Sequence, residues 1–492
     1  MISEILSGLL LLNGAALLAM VLGALFGTIA AVTPGLGGLF AIAIILPFAF
    51  QFTPAVGIAL IMAVTVVSGT GNTITSVLYG IPGSASGVAS TFDGYPMARR
   101  GEGVRAVSAG LTASALGGIV GAVTLAFALP ALRPIVLLFR SPEFFALIML
   151  ALVFMAFVGQ SDPIKGLISG GIGLMIAFVG LEQSTASLRF TFGQLYLWDG
   201  ISLVPVVLGL YAITEMIDLI RQGSAINESG QKDHWWVQMK TGIMAPIHHW
   251  RATLQSSFAG LWVGMAPGLG DTAAQFVGYA QVARTSKNPK AFGTGTVEGV
   301  IAADAATNSK EGGALIPTLA FGVPGSSSMA IVIAAFLAFG IQPGPAMLTD
   351  NIDIVWMIVW ILVIGNILGG VVALAITPAM ARLTELRTSI IVPPILVASI
   401  FGAYSATNRV GDVVTMIAIG IIGWFFKTAG YSRAIFLVGF VLGKLLEQNY
   451  LLMMRVYGVE FFTRPISGTL FVLILLMVMI PLAKRTVQYV RS

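Results

Sequence analysis

Residues 79–86 read Tyr-Gly-Ile-Pro-Gly-Ser-Ala-Ser, and residues 321–328 repeat the pattern as Phe-Gly-Val-Pro-Gly-Ser-Ser-Ser. Both stretches interrupt long apolar sequence, where proline removes a backbone donor and glycine weakens a helix. In a bilayer, the freed N–H and C=O groups need partners inside the protein or in a water-lined cavity. Two such breaks in corresponding halves are typical of a transporter's binding site, although kinked packing helices also contain glycine and proline.

The composition indicates a membrane protein. Of 492 residues, 57% are hydrophobic and 10% are charged, whereas a soluble chain carries about 25% charged residues. Apolar runs recur from end to end, each long enough to cross about 30 Å of hydrocarbon. We therefore predict an all-α polytopic membrane protein, in which residues 5–31 form a retained span. With no cysteine and a dispersed net charge of +5, disulfides, thiolate metal sites and nucleic-acid binding are not expected.

Short motifs recur in the same order in the two parts of the chain. The matched pairs are 34–37 with 267–270, 80–84 with 322–326, 115–119 with 363–367, and 206–209 with 440–443. This order predicts a first membrane repeat over 1–220, a hydrophilic connector over 221–251 and a second repeat over 252–492.

Loop charges predict that the repeats are inverted. The loop at 51–54 has no basic residue, whereas its counterpart at 284–290 has three. After the breaks the pattern reverses: residues 99–105 of the first half carry three arginines, and residues 340–353 of the second half carry no basic residue. The positive-inside rule then puts equivalent loops on opposite sides, as in inverted-topology repeats with broken helices or re-entrant hairpins. Two arginines placed outside by this assignment argue against it: Arg133 and Arg140.

The breaks provide candidate ligands for a carboxylate. Helix N-termini present unpaired N–H groups and the positive end of the helix dipole, and serines add hydroxyl donors. The spans contain no obvious arginine pair, so an anion would depend on backbone dipoles and hydroxyls, although each serine is equally a candidate small packing residue. The predicted substrate-binding residues are Gly35, Gly37, Gly83, Ser84, Ser86, Gly268, Gly270, Gly325, Ser326, Ser327 and Ser328.

Polar residues near the breaks are candidates for binding a cation. A charge at the bilayer centre costs about 2.5–3.5 kcal/mol on insertion scales, so such residues suggest a function. A solvated helix end is the alternative for the charged residues at 304–311, and Asp93 is expected in an interfacial polar loop. The predicted cation ligands, for sodium or a proton, are Asn72, Thr73 and Asn308, with Asp271 and Asp304 as weaker candidates.

Enzymatic motifs are absent from the sequence. There is no GxSxG, HExxH, P-loop or CxxC, and His234, His248 and His249 all fall in the connector. We therefore predict no enzyme and no cofactor other than a coupling ion.

Longer motifs carry a family resemblance. These are residues 80–84 leading to 93–98, residues 299–302 leading to 312–319, and a block within 190–206. With them the sequence resembles the large membrane subunit of the tripartite tricarboxylate transporter family of bacteria. The resemblance implies an ion-transporter-like fold with elevator-type movement.

It also implies a secondary active importer of the bacterial inner membrane, working with a small membrane subunit and a periplasmic solute-binding protein. Citrate-like tricarboxylates, dicarboxylates and aromatic carboxylates are the implied substrates, and a sodium or proton gradient drives uptake. The alternatives are a stand-alone ion-coupled carrier, a passive channel, or a membrane enzyme that acts on a lipid-linked substrate. The particular carboxylate and the coupling ion stay open.

Overall fold

A computed structural model describes residues 2–33, 36–80, 82, 84–158, 162–182, 186–222, 235–383 and 388–491. Side chains are described over the same ranges apart from 85, 379–383, 388–391 and 480–491.

The described chain is helical almost throughout. Its α-helices are α1 Ile2–Leu10, α2 Gly14–Val32, α3 Gly37–Ala49, α4 Pro54–Tyr79, α5 Val88–Met97, α6 Gly103–Val136, α7 Ser141–Val158, α8 Pro163–Ala177, α9 Leu203–Val207, α10 Thr214–Gln222, α11 Trp235–His248, α12 Trp250–Met265, α13 Gly270–Thr285, α14 Val297–Phe321, α15 Ser327–Ala338, α16 Pro345–Thr349, α17 Ile352–Leu383, α18 Thr388–Thr407, α19 Val410–Ala429, α20 Arg433–Val456 and α21 Pro465–Arg491. Short π turns at Ala98–Glu102 and Leu208–Ile213 connect α5 to α6 and α9 to α10. One small antiparallel hairpin pairs β1, Gly180–Leu181, with β2, Leu188–Arg189.

Eight helical segments among the described residues are long and apolar enough to cross a membrane. Several shorter apolar helices accompany them, including α3, α8 and α15. Large apolar side chains such as Phe127, Trp262 and Ile421 are exposed on the surface, as expected where lipid replaces water. The prediction of an all-α polytopic membrane protein is confirmed.

The two sequence breaks end their helices in the same way. α4 ends at Tyr79 and α14 ends at Phe321, and the glycine that follows each, Gly80 or Gly322, has φ +67°. This left-handed conformation strains any residue with a Cβ, which explains glycine at both helix ends.

A serine then starts the next helix at each break. Ser84 and Ser326 have extended backbones, with φ −149° and −152°, and each side-chain oxygen accepts a backbone N–H, from Ser86 and Met329 respectively. Capping of this kind satisfies a donor that the first turn leaves unpaired. Each break therefore joins the C-terminal end of one helix to the N-terminal end of another.

Helix α14 occupies the centre of the fold and is buried along almost its whole length. Glycines bring its neighbours into backbone contact. A Cβ on Gly117 of α6 would lie 2.1 Å from the carbonyl oxygen of Ala305, and a Cβ on Gly313 would lie 2.2 Å from that of Leu261 on α12. Close packing through small residues stabilises helix pairs in membranes, where the hydrophobic effect contributes little.

The domain division and the inversion of the repeats stay predictions. Of the proposed connector, α11 is described, whereas the segment 223–234, which includes His234, lies outside the described residues.

Candidate functional site

The two breaks converge on one cavity of about 540 Å³, called the central cavity here. Its lining comes from the first turns of α3 and α13, from both breaks, and from parts of α4, α10, α19 and α20. The lining residues are Leu36, Gly37, Gly38, Leu39, Phe40, Ser68, Ser84, Ser86, Tyr211, Glu215, Gly270, Asp271, Thr272, Ser326, Ser327, Ser328, Lys427 and Arg433.

Most of the residues predicted to bind substrate line this cavity. They are Gly37, Ser84, Ser86, Gly270, Ser326, Ser327 and Ser328. Gly268 and Gly325 do not line it; instead the N–H of Gly268 donates to the carbonyl of Gly325 over 3.2 Å and ties the two motifs of the second half together. Gly35 and Gly83 lie outside the described residues.

In the first half, the hydroxyl groups of the break are oriented by an amide. Asn72 Nδ2 donates to Ser84 Oγ over 2.8 Å and to Ser86 Oγ over 2.7 Å, and the two serine oxygens are 2.7 Å apart. The same nitrogen also lies 3.2 Å from the Ser68 carbonyl. A serine hydroxyl that accepts from the amide keeps its own O–H group as a donor. One of the two O–H groups bonds to the neighbouring serine, and the other is available to a ligand in the cavity.

A basic cluster forms another part of the wall. Arg433 Nη1 donates to Glu215 Oε1 over 2.9 Å and to the Leu210 carbonyl over 3.0 Å. Lys427 Nζ donates to the other oxygen of Glu215 over 2.7 Å and lies 2.5 Å from Asp218 Oδ2. Glu215 thus holds both cations at the cavity.

These cations lie in the same cavity wall as the hydroxyls and helix starts, and they are not among the residues predicted to bind substrate. The sequence places Lys427 and Arg433 at the ends of two consecutive spans, where basic residues usually mark loops. One feature of the sequence could have pointed to these cations. Glu215 is an ionisable residue within the apolar segment Leu203–Arg221, and a charge inside a span needs a partner.

Asp271 lines the cavity as part of a charged triad in which Lys310 and Glu311 are buried. Lys310 is 1% exposed, and its ammonium group bonds to Asp271 and, over 2.8 Å, to Glu311. The alternative of a solvated helix end therefore does not hold for Lys310 or Glu311. Buried ions are tolerated only when they are paired, and this cation pairs with two carboxylates.

The remaining predicted cation ligands lie on a polar seam between α4 and α14, away from the cavity lining. Asp304 Oδ1 accepts from Thr73 Oγ1 over 3.0 Å and from Ser90 Oγ over 2.8 Å. Asn308, one turn further along α14, donates to Thr70 Oγ1 over 2.7 Å and to Asn366 Oδ1 over 2.8 Å. Asp304 is buried, so it too lies away from any solvated helix end.

The predicted cation ligands therefore do not form one constellation. They divide among the serine pair, the charged triad and the seam. Within the described ranges, no group of three or more His, Cys, Asp or Glu residues is arranged to hold a metal ion.

Asp93 lies on a helix, not in the interfacial loop that the sequence suggested. Its Oδ1 accepts the backbone N–H groups of Gly293, Gly295 and Thr296 over 2.7–3.0 Å, and its Oδ2 accepts the hydroxyl of Tyr279 over 2.8 Å. The buried carboxylate ties α5 to the loop that precedes α14.

These features define a multi-pass helical membrane protein with a polar, charged cavity between two helix breaks. Residues 17–438 match the family described as the tripartite tricarboxylate transporter TctA family. The chain belongs to this family, which forms the membrane component of a tripartite tricarboxylate transporter.

Two relatives come from Agrobacterium vitis. The "uncharacterized 52.8 kDa protein in TAR-I ttuC' 3'region" is 31% identical over 455 residues, which cover 91% of this chain and 89% of that protein. The "uncharacterized protein in TAR-II ttuC' 3'region" is 33% identical over 214 residues, which cover 43% of this chain and 88% of that protein. No solved structure matches the chain.

Proposed function

We propose that this chain is the large membrane subunit of a secondary active importer of carboxylates, and that the central cavity is its substrate site. One observation carries the proposal: both serine-capped breaks open into the cavity that Arg433 and Lys427 also line. Hydroxyl donors, helix starts and cations are the groups that recognise carboxylates in proteins. The transported anion is a citrate-like tricarboxylate, a dicarboxylate or an aromatic carboxylate.

Two parts of the wall contact different parts of such a substrate. Ser84 and Ser86, oriented by Asn72, donate hydrogen bonds to one carboxylate group, and Ser326–Ser328 do the same from the second break. Arg433 and Lys427 contact another carboxylate group after weakening their bonds to Glu215. A substrate with two or more carboxylates spans the cavity, so we expect a preference for polycarboxylates.

The charges around the cavity favour cation coupling. Two charged clusters reach the cavity and together hold three cations and four carboxylates: Lys310, Lys427 and Arg433 with Asp271, Glu215, Asp218 and Glu311. Two cations and two carboxylates of these line the wall itself. With all groups ionised, the wall has no positive excess to balance a di- or trianion. A sodium ion or proton bound with the substrate lowers this electrostatic cost, since charge interactions are strong away from bulk water.

The transporter works in the bacterial inner membrane with a small membrane subunit and a periplasmic binding protein, which delivers the carboxylate. It moves substrate by displacement of one part of each half against the rest, in an elevator-type cycle. It has no catalytic role.

Uptake into proteoliposomes that contain both membrane subunits tests the proposal. Labelled citrate and a panel of carboxylates are supplied with and without the binding protein, under a sodium gradient, a proton gradient or neither. We expect accumulation that requires both the binding protein and one gradient. Flux without any gradient would indicate a passive channel, and accumulation without the binding protein would indicate a stand-alone carrier.

The site assignment has its own test in the same assay. Ser84→Trp and Ser326→Trp fill the cavity and should abolish uptake, whereas Thr294→Trp, on an exposed loop outside the cavity lining, should not. Uptake at the wild-type level in both serine variants would refute the assignment.

A further inference from the structure

Helix α11 is fixed against the start of α6 by backbone contacts. A Cβ on Gly242 would lie 2.5 Å from the carbonyl oxygen of Arg105, so the two helices touch at this glycine. Gln238 adds two hydrogen bonds: its Nε2 donates to the Gly101 carbonyl over 2.8 Å, and its Oε1 accepts the N–H of Arg105 over 3.3 Å. The orientation of α11 is therefore well defined.

The exposed side of α11 carries an apolar stripe with one lysine. Trp236, Lys240, Met244 and Ile247 follow one another at helical spacing, and Trp236 is 75% exposed. Just beyond the helix, Trp250 is exposed as well. Exposed tryptophans and a lysine on an apolar helix face are typical of the boundary between lipid tails and headgroups.

A pocket of about 390 Å³ lies between this helix and the first turn of α6. We call it the basic pocket, because basic side chains and no acidic ones line it. Its lining residues are Arg105, Lys240, Thr241, Met244, Ala245, His248 and His249.

The permanent cations of the basic pocket are not fully neutralised. Lys240 makes no ion pair within the part of the chain that the structure describes. Arg105 bonds to Glu102 through Nη1 over 2.6 Å, and its Nη2 makes no hydrogen bond to any described residue. His249 is held by Glu298, over 2.9 Å. One positive charge is therefore left without a partner beside an apolar surface.

We propose that the basic pocket binds an anionic phospholipid. Its phosphate contacts Lys240 and Arg105, and an acyl chain lies along Met244 and Ile247. A soluble anion would match the cations but leave the apolar stripe exposed. A zwitterionic lipid brings a cation of its own beside its phosphate, so it would leave the surplus positive charge of the pocket unbalanced. Basic pockets beside membrane helices bind acidic headgroups in this way. The inference is independent of what the protein transports.

Native mass spectrometry of the full chain in detergent tests the proposal, with phosphatidylglycerol and phosphatidylcholine as probes. We expect preferential retention of one phosphatidylglycerol per chain. Lys240→Gln should weaken this binding about fivefold, the factor that one basic residue contributes near an anionic surface, and Lys240→Arg should preserve it. Lys287→Gln is the matched control, because this exposed lysine lies outside the basic pocket.

Four outcomes would overturn the proposal. Equal retention of both lipids would exclude headgroup recognition, and equal behaviour of Lys240→Gln and Lys287→Gln would exclude this pocket. Displacement by excess inorganic phosphate would indicate a site for a free anion. Loss of the lipid when the small membrane subunit is added would make the pocket a subunit interface.

Discussion

Replacing Arg433 with glutamine tests the role assigned to the basic cluster. Arg433 bonds to Glu215 and to a backbone carbonyl at the cavity wall. In Arg433→Gln, the Glu215 carboxylate keeps its bond to Lys427. No buried charge is left unpaired, so we expect the variant to fold and its defect to lie in substrate binding.

The size of the effect follows from the lost contact. A hydrogen bond to a charged group contributes about 1.5–3 kcal/mol, which corresponds to about a 10- to 150-fold change in affinity. Arg433 must weaken its bond to Glu215 before it contacts substrate, which reduces the net gain. We therefore expect KM to rise about tenfold in Arg433→Gln, near the lower end of this range. The KM of Arg433→Lys should lie between those of the wild type and of Arg433→Gln.

The assay is the concentration dependence of carboxylate uptake in proteoliposomes, normalised to reconstituted protein. Arg409→Gln is the control, because Arg409 pairs with Asp199 on the surface, where both side chains are exposed, and exposed pairs contribute only about 0–1 kcal/mol. A KM for Arg433→Gln within twofold of the wild-type value, at equal abundance, would refute the assigned role of this arginine.

Three further substitutions test the packing that supports the site. Asp93→Ala removes the charged acceptor of three part-buried N–H groups. A hydrogen bond to a charged group contributes about 1.5–3 kcal/mol, so the free energy of unfolding should fall by at least about 3 kcal/mol, against about 1 kcal/mol for Tyr279→Phe. Thermal unfolding in detergent measures both changes. Lys310→Met leaves two carboxylates without their cation and should cost about 3–5 kcal/mol, seen as a loss of monodisperse protein. Gly80→Ala and Gly322→Ala both place a Cβ at a backbone with φ +67°, which should destabilise the protein by about 1–2 kcal/mol. At Gly80 the new Cβ would also lie 2.9 Å from a tyrosine ring, whereas at Gly322 the nearest atom is 3.5 Å away. Gly80→Ala should therefore destabilise the protein more than Gly322→Ala.

Each of these predictions has a contradicting result. Equal unfolding temperatures for Asp93→Ala and Tyr279→Phe would mean that the N–H groups find other partners. Adding Asp271→Asn to Lys310→Met should restore some stability, and failure to do so would contradict the pairing. Equal effects at Gly80 and Gly322 would mean that the ring contact adds nothing.

The fold and one wall of the cavity could be predicted from local sequence. Span length and composition identify the membrane helices, and the Gly-Pro-Gly-Ser pattern specifies a left-handed helix end followed by a serine cap. The placement of Ser84 and Ser326 at helix starts follows from the chemistry of a few neighbouring residues, which is why sequence alone was sufficient.

The rest of the site depends on contacts between distant segments. Arg433 reaches the cavity because α20 packs beside the span that carries Glu215, more than 200 residues earlier in the chain. Asp93 has a polar neighbourhood in sequence, but the loop at 293–296 covers it in the fold. A charge inside a span, such as Glu215, indicates that a partner exists, but neither the spacing nor the type of these residues indicates which partner it is.

Substrate protection of a single cysteine tests most directly whether the central cavity binds the transported carboxylate. The natural chain has no cysteine, so Ser327→Cys introduces one thiol into the cavity lining, and Thr294→Cys introduces one outside it. We predict that a transported carboxylate slows the reaction of Ser327→Cys with a membrane-impermeant thiol reagent and leaves that of Thr294→Cys unchanged. An unchanged labelling rate at Ser327→Cys, with a carboxylate that the same variant transports, would contradict the assignment of the cavity as the substrate site.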